Sequence, residues 1–304
     1  MLERLRAAPA AAAPDFSLVA GAAPPWRDTP VRAANVRYCT PSAELRPGEN
    51  LIVHEAAEGF HLRYADGTEF HLSRDGREIW ATWADSSTLA DTATYLLGPV
   101  LGFAQRLKGV LCLHASAVVV DDFAIALCGP GEAGKSTTAG AFAAAGHAVL
   151  SDDLTALHER GGQLYAMPAY DHLRVWEESE RVLLGTSGTL PRLTPTWDKR
   201  ALGLSEHGWT FRDSPVRLGA VVLLAPRADD ARAPRVESVT TGDAFVALAA
   251  NSYANYLLDD RMRAEEFAAI ARLMATVPVV RATPHTDPRR LGALVSAIAG
   301  AVRG

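Results

Sequence analysis

The string GPGEAGKST, running from Gly129 to Thr137, sets Gly129, Gly134, Lys135 and Ser136 on the template G-x-x-x-x-G-K-[ST]. Glycines at that spacing let consecutive backbone N–H groups turn inward around a phosphate, and a helix that starts there adds a favourable dipole. The cradle would comprise Gly129, Gly131, Glu132, Ala133, Gly134, Lys135, Ser136 and Thr137, with Lys135 neutralising β- and γ-phosphate oxygens and Ser136 Oγ ligating Mg2+. A glycine turn can match the template by chance, but here an apolar strand-like run precedes the loop and an Ala-rich helical run follows it. ATP with Mg2+ is therefore the expected ligand. The motif alone leaves kinase, ATPase, GTPase and transporter ATPase open; without an N-K-x-D or an L-S-G-G-Q-type string, a GTPase and a transporter ATPase lack their second signatures.

A second chemical pair stands at Asp152 and Asp153, after the apolar run AVLS. Phosphoryl transfer to a hydroxyl needs one carboxylate to organise Mg2+ and another to accept the hydroxyl proton, and adjacent aspartates at a strand end offer both. The same Ser-Asp-Asp would also serve as an ordinary turn or helix cap. His114, inside LCLHASAVVV, reads by itself as a core histidine, and Arg174, in DHLRVWEE, either meets phosphate or pairs with a carboxylate. Of 30 basic residues only Lys108, Lys135 and Lys199 are lysine. Lys199 is thus a candidate to fold over a terminal phosphate, or else a solvated loop end.

These groups need elements to carry them. LCLHASAVVV and FAIALCG read as strands joined at Asp121-Asp122, with a helix over 135–145 and a further strand at AVLSDD, so strand, glycine loop, helix and strand make a βαβ crossover. Upstream, the Ala- and Pro-rich residues 1–30 predict an extended arm. Alternating runs such as VRYC, FHLRYA and EIWATWA, with turns at Pro47-Gly48, Asp66-Gly67 and Asp75-Gly76, predict an antiparallel β subdomain over 31–90. Residues 86–108 read as a capped helix broken at Gly98-Pro99. Downstream, LTALHERGGQLYAM predicts a hairpin, HLRVW and RLGAVVLLAP strands, 185–200 a long mobile loop, and 242–258, 264–276 and 287–302 helices.

Composition narrows the partners. A chain of 304 residues that is 48% hydrophobic can bury a full core, and a net charge of -5 without a dense basic run predicts neither nucleic acid nor an anionic membrane as partner. Cys39, Cys112 and Cys128 lack metal-ligand spacing, and the last two read as core thiols. The N-terminus lacks a Leu-rich h-region and no run reaches about 18 apolar residues, so a cytoplasmic location is expected.

From His114 to Asp153 the chain resembles the catalytic core of HPr kinase/phosphorylase, a bacterial P-loop kinase that modifies a serine of the HPr carrier protein. The matching strings are HASAVVV, GPGEAGKS, AGHAVL and SDD, and the similarity spans about residues 105–180. Thr137 stands where that family usually has an acidic residue, and phosphorylase activity stays open. The layout is more similar to the stand-alone HPr kinase-related proteins, including lasso-peptide tailoring kinases, in Tyr95 to Gly102, Leu113 to Val118, Leu150 to Asp153 and Leu173 to Trp176. The resemblance implies an α/β P-loop kinase core (HPr kinase-like) over 91–304, with an N-terminal antiparallel β subdomain and C-terminal helices. It further implies Asp152 as general base, Asp153 with Ser136 as Mg2+ ligands, His114 and Lys135 in the catalytic network, and Arg174 near the phosphates. The expected acceptor is a serine hydroxyl of a peptide or small protein. A small-metabolite kinase and an ATP-switched regulatory protein remain open alternatives, as does a homo-oligomer.

Overall fold

The structure, a computed structural model, describes residues 15–27, 35–41, 50–195 and 197–303. Its first six strands are β1 (Ser17–Ala20), β2 (Val36–Cys39), β3 (Leu51–Glu55), β4 (Gly59–Tyr64), β5 (Glu69–Ser73) and β6 (Glu78–Thr82), in the spatial order β1-β6-β5-β4-β3-β2. β2 to β6 form the antiparallel set that alternation predicts, and β1 adds to β6 in parallel. Gly67 and Gly76 turn at φ 87° and 68°, where a side chain would be strained. The expected turn at Pro47-Gly48 and most of the expected arm lie outside the described residues.

One face of this sheet buries Val53, Phe60, Leu62, Phe70, Leu72 and Ile79. Thr88 caps α1 (Leu89–Tyr95) in a reciprocal box with Asp91. Pro99 cannot donate a helical hydrogen bond, and the chain answers with a π-helical turn, Leu96–Val100, before α2 (Leu101–Leu107). Leu96, Val100 and Phe103 then close over the sheet, together with Leu257 and Met262 from far along the chain.

The second sheet carries the glycine loop and the acidic doublet. β7 (Leu111–Leu113), β8 (Ala115–Val120) and β9 (Phe123–Cys128) lead to α3 (Lys135–Ala144) and β10 (Ala148–Ser151). β11 (Thr155–Arg160) and β12 (Gln163–Ala166) form the expected hairpin. With β16 (Val216–Leu224) the strand order is β10-β8-β9-β16-β12-β11-β7, and β18 (Val279–Thr283), paired to β17 (Arg235–Ser238), joins β16 in parallel. β10 therefore runs parallel to β9 with β8 between them, which is the predicted crossover with one strand interposed. β9 is covered on both faces, so it reads as an unbroken apolar run. Ile125 and Leu127 pack with Phe142 of α3 and with Leu294 and Ile298 of α7 (Leu291–Arg303). Ala124, Ala126 and Cys128 share the opposite layer with Leu248 of α5 (Thr241–Ala250) and with Ile270 and Leu273 of α6 (Asp260–Thr276). Cys112 and Cys128 are buried free thiols, as expected.

Three expectations need correction. Residues 185–200 are not a long loop: β14 (Arg192–Thr194) and β15 (Trp197–Gly203) pair with each other and with β13 (His172–Val175) in a third sheet. Leu190, Leu193 and Leu202 go into the interior, and Pro191 and Pro195 flank the short edge strand β14 where proline is tolerated. The helix expected over 242–258 ends at Ala250, because Asn251 to Tyr253 leave it to bond the end of β7. His114 lies on neither strand but at the bend between β7 and β8.

Close approach fixes one position in the first sheet. A Cβ on Gly59 would stand 1.9 Å from the carbonyl oxygen of Leu72 on β5. Gly59→Ala is expected to cost about 1–3 kcal/mol, read as a lower urea midpoint at unchanged slope.

Candidate functional site

The glycine loop leaves β9 at Cys128 and enters α3 through Gly134. Glu132 at φ 64° and Gly134 at φ 93° are left-handed, which bends the loop backbone into a concave turn. A Cβ on Gly129 would lie 2.9 Å from Ala133 Cβ, so the turn's tightness demands that glycine. No side chain caps α3, and its first-turn N–H groups lack intrahelical partners. Lys135 Nζ reaches back across the loop and donates to the carbonyls of Gly129 at 2.8 Å and Pro130 at 2.9 Å. Burial lowers the Lys135 pKa, against the pull of Asp153 and Asp152. Thr137 Oγ1 lies 2.7 Å from Ser179 Oγ of α4 (Glu177–Leu184), bonding the two helices.

β10 brings the acidic doublet to this loop. Asp152 is fully buried. Its Oδ1 accepts from Ser116 Oγ of β8 at 2.6 Å and from Ser136 Oγ of α3 at 2.9 Å, while Oδ2 accepts from the backbone N–H of Arg174 at 2.8 Å. Asp153 adopts φ 68°, a left-handed conformation that aspartate tolerates better than most residues. The turn sends the second carboxylate away from the first and onto the wall of a cleft of about 640 Å³. There Tyr253 Oη donates to Asp153 Oδ2 at 2.9 Å and Arg174 Nη1 at 3.2 Å, and His114 Nδ1 stands 3.5 Å from Oδ1. Burial alone would raise the Asp153 carboxyl, but Arg174, with His114, Lys199 and Tyr253, holds it below the usual carboxylate range. The two carboxylates therefore part: Asp152, expected as proton acceptor, has no opening to the cleft, and Asp153, expected as a metal ligand, does.

The expected residues otherwise converge. His114, Gly131, Glu132, Ala133 and Gly134 line the same cleft, as do Lys135, Ser136, Thr137, Arg174 and Lys199; Gly129 stands behind the loop. Arg174 is buried with its guanidinium 5.3 Å from the Tyr170 ring, and its Nε and Nη2 have no hydrogen-bond partner. Lys199 comes from β15, not from a loop, and its Nζ lies 5.4 Å from the Trp176 ring and 5.6 Å from the Trp197 ring. Trp176, Glu178 and Arg227 complete parts of the wall, as do Pro284 to Pro288.

Tyr253 and Ser116 escaped the sequence reading. Ser116 carried a signal, a polar residue in an otherwise apolar strand; Tyr253 carried none beyond the polar Asn251-Ser252 that ends its helix. Cys112 O accepts from Tyr253 N at 2.8 Å, and Asn251 O accepts from His114 N at 2.7 Å, which sets the tyrosine beside the histidine. Ala254, at φ 55°, then turns the chain away. Two glycines of the broken helix make room: a Cβ on Gly98 would lie 3.1 Å from Tyr253 Oη, and one on Gly102 would lie 2.4 Å from the ring. Behind them Arg106 Nη2 donates to Glu266 Oε1 at 2.8 Å, and Ser252 Oγ donates to the same oxygen, a buried anchor one residue from Tyr253.

No family model matches this chain, and no curated protein matches it. Among solved structures it is similar to the Hpr(Ser) kinase/phosphatase from Coxiella burnetii, at 14% identity and a TM-score of 0.34, over 62% of this chain and 89% of that one. That likeness is too loose to carry properties of that enzyme across. Among the described residues no helix is long and apolar enough to cross a membrane.

Burial lowers the His114 imidazole below its usual range, and the opposing pull of Asp153 does not restore it. The unfolded chain takes up a proton at this histidine as pH falls through 6.5, while the folded chain refuses it until its own lower pKa is reached. Stability tied to His114 is therefore complete above that window and lost within it. His114→Asn should lose less stability than the parent on acidification from about pH 7 to about pH 5, compared by urea midpoints.

Proposed function

We propose that this protein is an ATP-dependent phosphotransferase that passes the γ-phosphoryl group to a hydroxyl, with a serine of a peptide or small protein as acceptor. The observation that carries the reading is the 2.9 Å hydrogen bond from Ser136 to Asp152, which ties the first turn of α3 to the acidic doublet. The anion-binding backbone and the Asp153 carboxylate thereby line one cleft.

The residues fit the nucleotide and its metal. The left-handed residues of the loop and the side-chain-free start of α3 suit phosphate oxygens. Ser136 Oγ, a hard oxygen donor on the cleft wall, would hold Mg2+, with Asp152 Oδ1 fixing its hydroxyl from behind, and the ion would supply neutralisation of phosphate charge. Lys135 adds a buried cation on the same wall. Lys199, half-buried, adds another positive charge, which acts on His114, Lys135 and Asp153.

Asp153 is the proton acceptor in this reading. Its carboxylate stays ionised at neutral pH, faces the cleft, and is oriented by Tyr253 and Arg174 on one oxygen. As the acceptor oxygen attacks the γ-phosphorus and the bond to the β-bridging oxygen breaks, Asp153 takes the hydroxyl proton. Asp152, with every oxygen engaged, holds Ser136 in place. Arg174 acts through Asp153, fixing its charge and its rotamer. The peptide acceptor draws support from the resemblance in the strings LLGPVLG, LHASAV, LSDD and LRVW, and from the rim residue Trp176, which is 42% exposed beside the cleft.

Transfer of label from γ-labelled ATP to a panel of acceptors, a serine peptide, free amino acids and sugars, tests the reading. Label on the peptide is expected; label on a sugar or amino acid would replace the acceptor, and label on none would leave an ATP-switched regulatory protein. Asp153→Asn should retain ATP binding and lower transfer by roughly 10²–10⁴-fold. Undiminished turnover in Asp153→Asn would remove it from the role of base. Tyr253→Phe should lower turnover more mildly, with nucleotide affinity unchanged.

A further inference from the structure

The N-terminal sheet has a second face, opposite the core, and strand register arranges it. His54 pairs with His61, His61 with His71, and His71 with Trp80, so three imidazoles stand in a row across β3, β4 and β5. Glu69 precedes His71 by two positions and so shares its face. The rings of His61 and His71 are stacked, 4.1 Å between centroids at 8°. One donor atom from each of His61, Glu69 and His71 lies within 4.8 Å of the other two.

The contacts among these groups leave one ring nitrogen of each of His61 and His71 unsatisfied. His61 Nε2 is 3.2 Å from Glu69 Oε2, yet the two are not aligned as donor and acceptor, as ligands of a shared third group would not be. His61 Nε2 and His71 Nδ1 are both buried without a hydrogen-bond partner. Trp26 meets His71 edge to face at 5.4 Å and offers it no acceptor. Orphaned buried nitrogens carry the full desolvation penalty of a polar group, and a cation that takes their lone pairs removes it.

We propose that His61, Glu69 and His71 form a binding site for a divalent transition-metal ion of the zinc class, on the outer face of the N-terminal sheet and apart from the phosphate cleft. Two imidazoles and one carboxylate are donors that zinc-class ions accept, whereas Mg2+ and Ca2+ take oxygen ligands almost throughout. The side chains of His61 and Glu69 are 17% and 21% exposed, which gives an ion a way in, and His71 at 2% forms the floor. Two cations compete for the carboxylate: Arg27 Nη2 is 3.7 Å from Oε2 and Arg63 Nε is 3.6 Å from Oε1. Both arginines are more than half exposed, so each can leave Glu69 for water at little cost. His54 is next in the row, its ring 6.3 Å from that of His61, and stands outside the cluster.

The test uses the untagged full chain, stripped with a chelator and titrated with Zn2+ and with Co2+ as a spectroscopic stand-in. One ion per chain is expected, with visible d–d bands for Co2+ and a higher urea midpoint in saturating Zn2+. His61→Gln and Glu69→Gln, both at accessible positions, should weaken binding by on the order of tenfold or more and abolish the midpoint shift. His54→Gln should bind as the parent does. A folded parent that binds neither ion, or equal affinity in His61→Gln and Glu69→Gln, would overturn the site.

Discussion

A carboxylate in a protein interior is costly unless hydrogen bonds replace its water, and Asp152 meets that condition with three donors. The donors come from β8, from the first turn of α3 and from the backbone of β13. The arrangement holds only if the sheet, the helix and the third sheet keep their relative places. The glycine loop inherits its position from this bond, since Ser136 opens the helix that the loop feeds. The left-handed step at Asp153 follows as well: with the first carboxylate committed inward, the second must turn out, into the cleft.

Around Asp153 the supports come from distant parts of the chain. Arg174 arrives on β13, His114 from the bend between β7 and β8, and Tyr253 from the segment after α5. The N-terminal sheet contributes indirectly. It packs on α1, the π-helical turn and α2, and that broken helix presents Gly98 and Gly102 to Tyr253. A regular helix carrying side chains at both positions would push the tyrosine off Asp153, so the sheet acts on the site through two absent methyl groups. The anchor of Arg106, Glu266 and Ser252 fixes the same segment from the other side.

The elements legible in the sequence were those whose signal is local. The strand, glycine loop and helix from Phe123 to Ala144 are written in apolar run and template, and the five alternating strands β2 to β6 in period and turn residues. Residues 185–200 misled because their Gly, Ser, Thr and Pro content reads as loop, while the pairing of β14 and β15 depends on β13 and on leucines whose burial partners lie elsewhere in sequence. The helix after Thr240 read too long because the apolar period runs on beyond Ala250, and only the bonds to Cys112 and His114 draw the chain away.

The sequence by itself determined which residue types could meet a phosphate and its metal, and that they sit at the end of a buried strand, because glycine freedom, helix start and apolar run are properties of neighbours in the chain. Only the tertiary structure decided how the two aspartates divide, that Lys199 lies on a strand between two tryptophans, and that Tyr253 enters at all. The physical reason is common to all three: the direction of a carboxylate and the partner of a hydroxyl are set by hydrogen-bond donors and packing surfaces tens of residues away, and no local pattern encodes where those will be.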